Sequence, residues 1–390
     1  MNILIHGTNF VNKGAELMLH AINQQLQNWE ECQSVSVSLS TGNFRQRKQL
    51  DLTHLIWREA FRPPYDRIPY TIYPIYWSAK VLPKFIRRAI NISIETDIDV
   101  VLDASGFFLS DQCGISKQQR MAILCQKWKS QRKKVILLPQ AFGPFNNTQV
   151  REAAQTILQN ADLVFARDEI SYEEITKLGK MTNHVKLFPD FTNLVDAIEP
   201  SYGHQIHDRV CVILNYRMID RTSEESRDLY LTFIQSCLEI LHDKRLKPYI
   251  LIHELEDYEF ALDITQSFGS QIQIIKVDSS LHLKGIIKNS RFVISSRFHG
   301  AVSALSQGVP CIVSGWSHKY NELIKDYQNE RYLIELTSKE ETLKHLKTAI
   351  SELNDREVRS LVSNRLIKLA LRQKNISNNM WDEIRKYLND

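Results

Sequence analysis

The chain has 390 residues, 43% hydrophobic and 24% charged, which is long enough for two globular domains and too mixed for a disordered or membrane-spanning chain. Its formal charge of +4 is small over this length, so composition excludes nucleic acid as the main partner. The six cysteines (Cys32, Cys113, Cys125, Cys211, Cys237, Cys311) form no C-x-x-C pair and no zinc-like spacing, and read as reduced, mostly buried thiols.

Apolar runs alternate with helical periods along nearly the whole chain, the pattern of α/β architecture on parallel sheets. The first run, Asn2–His6, is a strand with no basic leader or cleavage site before it, so a cytoplasmic protein is expected. Further strands are expected near Ser34–Leu39, Asp99–Asp103, Val135–Pro139, Leu163–Ala166 and Val185–Phe188. Helical patterns cover Ala15–Gln27, Lys117–Ser130, Val150–Gln159 and Ser171–Leu178. Between Trp57 and Arg88 this rhythm breaks: aromatic residues alternate with arginines and lysines, and prolines punctuate them. Three readings of 57–88 stay open: an excursion whose aromatics pack on the domain, contact with an anionic membrane surface, or stacking on a sugar.

A second strand series opens at Arg209-Val210-Cys211-Val212-Ile213-Leu214-Asn215 and continues at Tyr249–His253, Ile272–Val277, Arg291–Ile294 and Cys311–Ser314. Glu199–Asp208, with Pro200, Gly203 and no periodicity, reads as a linker. It separates an N-terminal α/β domain, 1–199, from a C-terminal one, 209–390, which ends in charged helices from about Lys339. The expected fold class is α/β: two doubly wound, Rossmann-like domains facing a central cleft at the carboxyl ends of their strands.

The most chemical stretch is Ser295-Ser296-Arg297-Phe298-His299-Gly300, which reads as a strand, a tight turn and a helix start. Backbone N–H groups at a helix N-terminus favour an anion, Arg297 adds a fork of donors, and His299 can move a proton near neutral pH. That combination suits a phosphorylated substrate; a structural arginine paired to a nearby carboxylate, and a structural histidine, are the other readings of these two residues. Arg217 follows a buried-looking strand and would reach the same region.

Several stretches taken in order resemble the polysaccharide pyruvyl transferase family. They are Asn12-Lys13-Gly14-Ala15-Glu16-Leu17-Met18, Asp103-Ala104-Ser105-Gly106-Phe107, Pro139-Gln140-Ala141-Phe142-Gly143-Pro144-Phe145, Arg167-Asp168-Glu169-Ile170-Ser171 and Pro189-Asp190. In the second half they are Asn215-Tyr216-Arg217, the Arg297-Phe298-His299-Gly300 turn, and Gly308-Val309-Pro310 continuing to His318-Lys319. The resemblance implies a GT-B-like fold and transfer of a pyruvyl group from phosphoenolpyruvate to a sugar as a ketal. It also implies that Arg217, Arg297 and His299 are donor-binding and catalytic.

In that reading Ser296, Gly300 and Lys319 support the donor in the C-terminal domain. The acceptor side, in the N-terminal domain, would use Asn12, Gly14, Glu16, Asp103, Ser105, Gln140 and Asp190, with His253 as a further candidate from the second half. A helix-capping role for Asn12 and Glu16 is equally open. The acceptor is a sugar or glycan, lipid-linked or free, and a lipid-linked one would bring this cytoplasmic protein to the inner face of the membrane. The departures are a single glycine in the Ala104-Ser105-Gly106 turn and the 57–88 segment, which matches nothing general in the family.

His253, Glu254 and Asp257 invite a metal reading but fall short of the usual ligand sets, so neither metal nor cofactor is expected. P-loop, G-x-G-x-x-G, G-x-S-x-G and H-E-x-x-H motifs are missing. Two other readings stay open: a nucleotide-sugar glycosyltransferase of the same architecture, and a carbohydrate-binding protein without turnover.

Overall fold

A computed structural model describes residues 1–57, 72–179, 182–266, 268, 272–315 and 317–390. Of the aromatic and basic stretch at 57–88, residues 58–71 thus lie outside the described residues. The chain divides into two compact units: unit 1 is Met1–Phe10, Met18–Asp190 and Met380–Asp390, and unit 2 is Val11–Leu17 with Phe191–Asn379. This differs from a cut at the 199–208 linker. The change of unit comes at Asp190, and Val11–Leu17 and Met380–Asp390 each count with the unit remote from them in sequence.

Among the described residues unit 1 holds eight parallel strands: β1 (Asn2–His6), β2 (Ser34–Ser38), β3 (Leu52–Ile56), β4 (Ile92–Ile94), β5 (Val100–Asp103), β6 (Lys134–Gln140), β7 (Leu163–Ala166) and β8 (Val185–Leu187). Their order is β4-β3-β2-β1-β5-β6-β7-β8. The chain works outward from β1 to β4, returns to the middle, and works outward again from β5. The order therefore reverses between β1 and β5, where His6 and Asp103 stand in register. β5 and β7 are buried at every residue, as expected for a parallel sheet covered on both faces. Where polar side chains enter the sheet they satisfy each other: Ser36 Oγ lies 2.7 Å from Thr53 Oγ1 and 2.8 Å from Ser93 Oγ.

Among the described residues unit 2 holds five parallel strands: β9 (Val210–Ile213), β10 (Tyr249–Leu251), β11 (Gln273–Ile275), β12 (Phe292–Ser295) and β13 (Cys311–Val313), in the order β11-β10-β9-β12-β13. The reversal falls between β9 and β12, so the loop carrying Asn215 and the turn carrying Arg297 leave the sheet side by side. Parallel sheets of this kind bind ligands at that point, beyond the carboxyl ends of the strands. Both units are thus doubly wound α/β, as expected. All six cysteines are free, four of them buried, and burial pushes the Cys211 thiol up to about 12. Among the described residues no helix is long and apolar enough to cross a membrane.

The helix Phe298–Leu305 packs closely onto the β9/β12 edge because residue 300 has no side chain. A Cβ at Gly300 would lie 2.7 Å from Ser295 Oγ and 2.9 Å from Ile213 Cδ1. Ser295 cannot simply turn away, since its Oγ accepts the Arg297 N–H and donates to the Arg297 carbonyl. Gly300→Ala is expected to destabilise the protein by about 1–3 kcal/mol, as overpacking does. Urea unfolding measures it, and an unchanged midpoint would show that the contact can relax.

Candidate functional site

The reversal point of the unit 2 sheet is organised by one buried ion pair. Arg297, the N-cap residue of helix Phe298–Leu305, donates from Nε to Asp257 Oδ2 at 3.0 Å and from Nη2 to Asp257 Oδ1. Its Nη1 donates to Glu254 Oε2 at 2.5 Å. Asp257 also accepts the backbone N–H of Tyr216 at 2.9 Å and of Glu254 at 3.2 Å. One carboxylate therefore ties together the loop after β9, the segment after β10 and the turn after β12. Arg297 is 8% exposed and Asp257 1%. Burial works against the charge on Arg297, but Asp257 and Glu254 outweigh it and raise its pKa, so the guanidinium stays charged. Burial raises the Asp257 carboxyl, and Arg297 opposes that rise.

Around this pair unit 2 gathers its own N-terminal piece, Val11–Leu17. Asn12 Oδ1 caps the helix Lys13–Leu26 by accepting from the backbone N–H of Gly14 (2.8 Å) and Ala15 (3.2 Å), and its Nδ2 donates to Glu254 Oε1. Lys13 Nζ donates to Glu16 Oε2 (2.8 Å) and the Asp278 carbonyl (2.7 Å). Glu16 Oε1 accepts from the backbone N–H of Ser280, the first residue of helix Ser280–Lys288, where a carboxylate complements the helix dipole. Asn12 and Glu16 thus have capping roles here.

Gly14 lies against His299: a Cβ there would fall 2.2 Å from His299 Nδ1. His299, half-buried on the first turn of its helix, can occupy this place only because residue 14 is glycine. His253 is 3% exposed, and burial, followed by the charges of Arg297, His299 and Lys13, holds its pKa well below 6.5. A neutral imidazole, an arginine, a lysine and a second histidine therefore share one neighbourhood.

The remaining candidates of unit 2 lie at its margin. Arg217 heads the short helix Arg217–Asp220 and bridges Asp220 and Glu256, each at 2.6 Å. Against the effect of burial, these carboxylates raise its pKa. The Ser296 carbonyl accepts from Asn215 Nδ2 and the Tyr320 hydroxyl. Lys319, half-buried, holds Nζ 5.7 Å from the centre of the Phe298 ring.

Unit 1 gathers the other four. Asp103, fully buried, accepts from Ser105 Oγ (2.8 Å) and Gln140 Nε2 (3.1 Å), and Asp190 pairs with Arg167 at 3.1 Å. The sequence reading missed His6, whose Nδ1 stands 2.7 Å from Asp103 Oδ1. The available signal was a histidine closing the first strand just before Gly7, which has φ +83°. It also missed that Glu254 and Asp257 are the counter-charges of Arg297, because carboxylates forty residues away meet an arginine only through the sheet order. Among the described residues no group of three or more His, Cys, Asp or Glu is arranged to hold a metal ion.

A family model for polysaccharide pyruvyl transferases matches residues 12–318. The chain belongs to that family. The match takes in both the Arg297 cluster and the Asp103 strand end of this transferase family member. No curated protein matches it. Among solved structures it is similar over the full length of both chains to HepE of Anabaena in complex with UDP and glucose, at 12% identity and a TM-score of 0.62. It is similar to the UDP-GlcNAc 2-epimerase of Neisseria meningitidis bound to UDP-GlcNAc at 12% identity, over 99% of this chain and 100% of that one, with a TM-score of 0.61. MnaA of S. aureus with UDP covers 100% of this chain and 96% of its own, at 14% identity and a TM-score of 0.60. At such identities the likeness is one of fold, and the fold is GT-B-like.

Two outcomes follow from this geometry. Arg297→Ala leaves buried Asp257 and half-buried Glu254 without their counter-charge and is expected to cost about 3–5 kcal/mol, measured by chemical denaturation. A cost below about 1 kcal/mol would mean that the carboxylates hold themselves apart without it. For His253 the folded pKa lies below the unfolded value near 6.5, so the unfolded chain binds the proton first as the pH falls. Stability is then full above about pH 6.5 and declines on acidification, by at most about 1.4 kcal/mol per pH unit for this group. His54, lowered to about 4 by burial and Arg47, acts in the same direction. Melting temperatures from pH 7 to 5 should fall less steeply in His253→Gln than in the wild type, and equal slopes would remove His253 from the account.

Proposed function

We propose that this protein transfers the pyruvyl group of phosphoenolpyruvate to two hydroxyls of one sugar as a ketal, releasing phosphate, on a surface polysaccharide or its lipid-linked precursor. The observation that carries the reading is the family match over 12–318, which takes in Lys13, Arg297 and His299, the charges gathered around His253. Phosphoenolpyruvate presents a carboxylate and a phosphate on one small unit and needs two anion clamps close together. In this reading Arg217 and Arg297 supply them. Three of the five N–H donors of Arg297 are committed to Asp257 and Glu254, and two remain for substrate. The backbone N–H groups around His299 and Gly300 receive the phosphate, with Lys319 and Ser296 beside them.

Protonation of the methylene carbon by His299 makes C2 electrophilic, and a sugar hydroxyl adds there. Phosphate leaves with the electron pair of its bond to C2, and a second hydroxyl closes the ketal. The hydroxyls release two protons: one balances that taken up by the methylene carbon, and the other goes out with the phosphate. No metal or cofactor is needed. Ser105, Gln140, Asp103 and Asp190 are the polar groups of this reading for the sugar. The exposed side chains of Trp77, Val81 and Phe85, next to Lys80 and Lys84, suit an anionic membrane surface on which a lipid-linked acceptor would be met.

The test is thermal unfolding with phosphoenolpyruvate, UDP-glucose or inorganic phosphate added, followed by phosphate release in the presence of glycan. Phosphoenolpyruvate at a hundred times its dissociation constant should add about 2.7 kcal/mol. His299→Gln should keep the stability of the free protein and lose about 10²–10⁴-fold in turnover. Stabilisation by UDP-glucose alone would replace this reading with a nucleotide-sugar glycosyltransferase, the ligand class seen in the HepE and epimerase structures.

A further inference from the structure

We propose that His6, oriented by Asp103, is the general base that takes the proton of an acceptor hydroxyl at the reversal point of the unit 1 sheet. The role rests on the transfer reading above for the reaction it serves. Its geometry stands by itself.

β1 and β5 are the adjacent central strands at which the sheet order reverses, and their last residues, His6 and Asp103, are paired in register. His6 Nδ1 lies 2.7 Å from Asp103 Oδ1. The same carboxylate receives Ser105 Oγ on Oδ1 and Gln140 Nε2 on Oδ2. Both oxygens of Asp103 are thus acceptors, and an imidazole that donates to one of them from Nδ1 keeps the lone pair on Nε2, which is the tautomer a base requires. Asp103 has no exposed surface, whereas 27% of the His6 side chain is exposed. The partner that sets the tautomer is sealed off while the imidazole reaches the surface of the unit.

The surroundings keep the ring in place. The ring of His6 meets that of Trp128, fully buried, in a T-shaped arrangement at a centroid distance of 5.5 Å. Gly7 turns the chain at φ +83°, and a Cβ there would lie 2.3 Å from Ser105 Oγ and 2.8 Å from Ser105 Cα, so only glycine lets Ser105 sit over the dyad. Gln140 spends its amide N–H on Asp103 and leaves Oε1 buried, with no hydrogen bond among the described residues. That oxygen is an acceptor for a sugar O–H beside the base. His6 lies outside residues 12–318, so nothing in the family match draws attention to it.

In the step itself the hydroxyl O–H bond breaks, its electron pair forms the bond to C2, and the proton moves to His6 Nε2. Asp103 stabilises the imidazolium, which then passes the proton to water or to the departing phosphate.

The experiment uses the full-length protein with phosphoenolpyruvate and two acceptor probes, a set of p-nitrophenyl hexopyranosides and a bacterial surface-polysaccharide fraction, and follows phosphate release against pH. His6→Gln should lower kcat about 10²–10⁴-fold with the KM for phosphoenolpyruvate unchanged, and should abolish the acid limb of the profile. Asp103→Asn should also lower kcat, because an amide can hold the wrong tautomer. Melting temperatures show whether each variant is folded. Where His6→Gln is not, recovery of His6→Ala by added imidazole, saturating with the free base, supports the role, and no recovery in a folded variant overturns it. His6→Gln with kcat within threefold of wild type and the same acid limb overturns the base role and leaves the transfer reading intact. Failure of the wild type to release phosphate with either probe overturns the transfer reading, and the base role with it.

Discussion

The pairing of Arg297 with Asp257 is the constraint on which the organisation of unit 2 depends. A charge this deeply buried is tolerated only with a matched partner, and Asp257 is matched four times over, by two guanidinium N–H groups and two backbone N–H groups. The consequence is positional more than energetic. A buried ion pair contributes little net stability, but its removal is costly, so the ends of three segments are held in one arrangement. Arg297 is thereby a rigid donor whose charge is already partly countered. An anion in such a place is bound through fixed geometry and backbone N–H groups as much as through net positive charge.

Unit 1 repeats the logic with a different outcome. There too a buried carboxylate at a sheet reversal collects several donors, and there too a basic side chain is oriented by it. Asp257 holds a guanidinium, which never gives up its proton, whereas Asp103 holds an imidazole, a group that can both accept and release one. The first arrangement suits recognition of a carboxylate or phosphate, and the second suits proton transfer.

Glycines at the two sites act by withholding a side chain. Gly14 leaves room for the ring of His299, Gly7 lets Ser105 close over Asp103, and Gly300 lets a helix settle on the β9/β12 edge. In each case the neighbour is a residue that carries chemistry or the backbone that aims it.

Much of the fold was legible in the sequence because parallel strands buried on both faces leave unbroken apolar runs, as in Val210-Cys211-Val212-Ile213 and Phe292-Val293-Ile294. β3 and β4 escaped notice: Leu52–Ile56 and Ile92–Ile94 are short and flank a stretch rich in aromatic residues and proline. The Arg297-Phe298-His299-Gly300 turn was recognisable because a strand, an abrupt turn and a run of small residues are local features. The sequence by itself therefore determined the α/β class, the family and the helix start that carries Arg297 and His299. Only the tertiary structure decided that Glu254 and Asp257 would serve as counter-charges, that Asn12 and Glu16 would cap helices within unit 2, and that His6 would meet Asp103. The reason is physical: strand order and register bring together residues about 40, 100 or 260 positions apart, and no local pattern of polarity encodes which ends become neighbours.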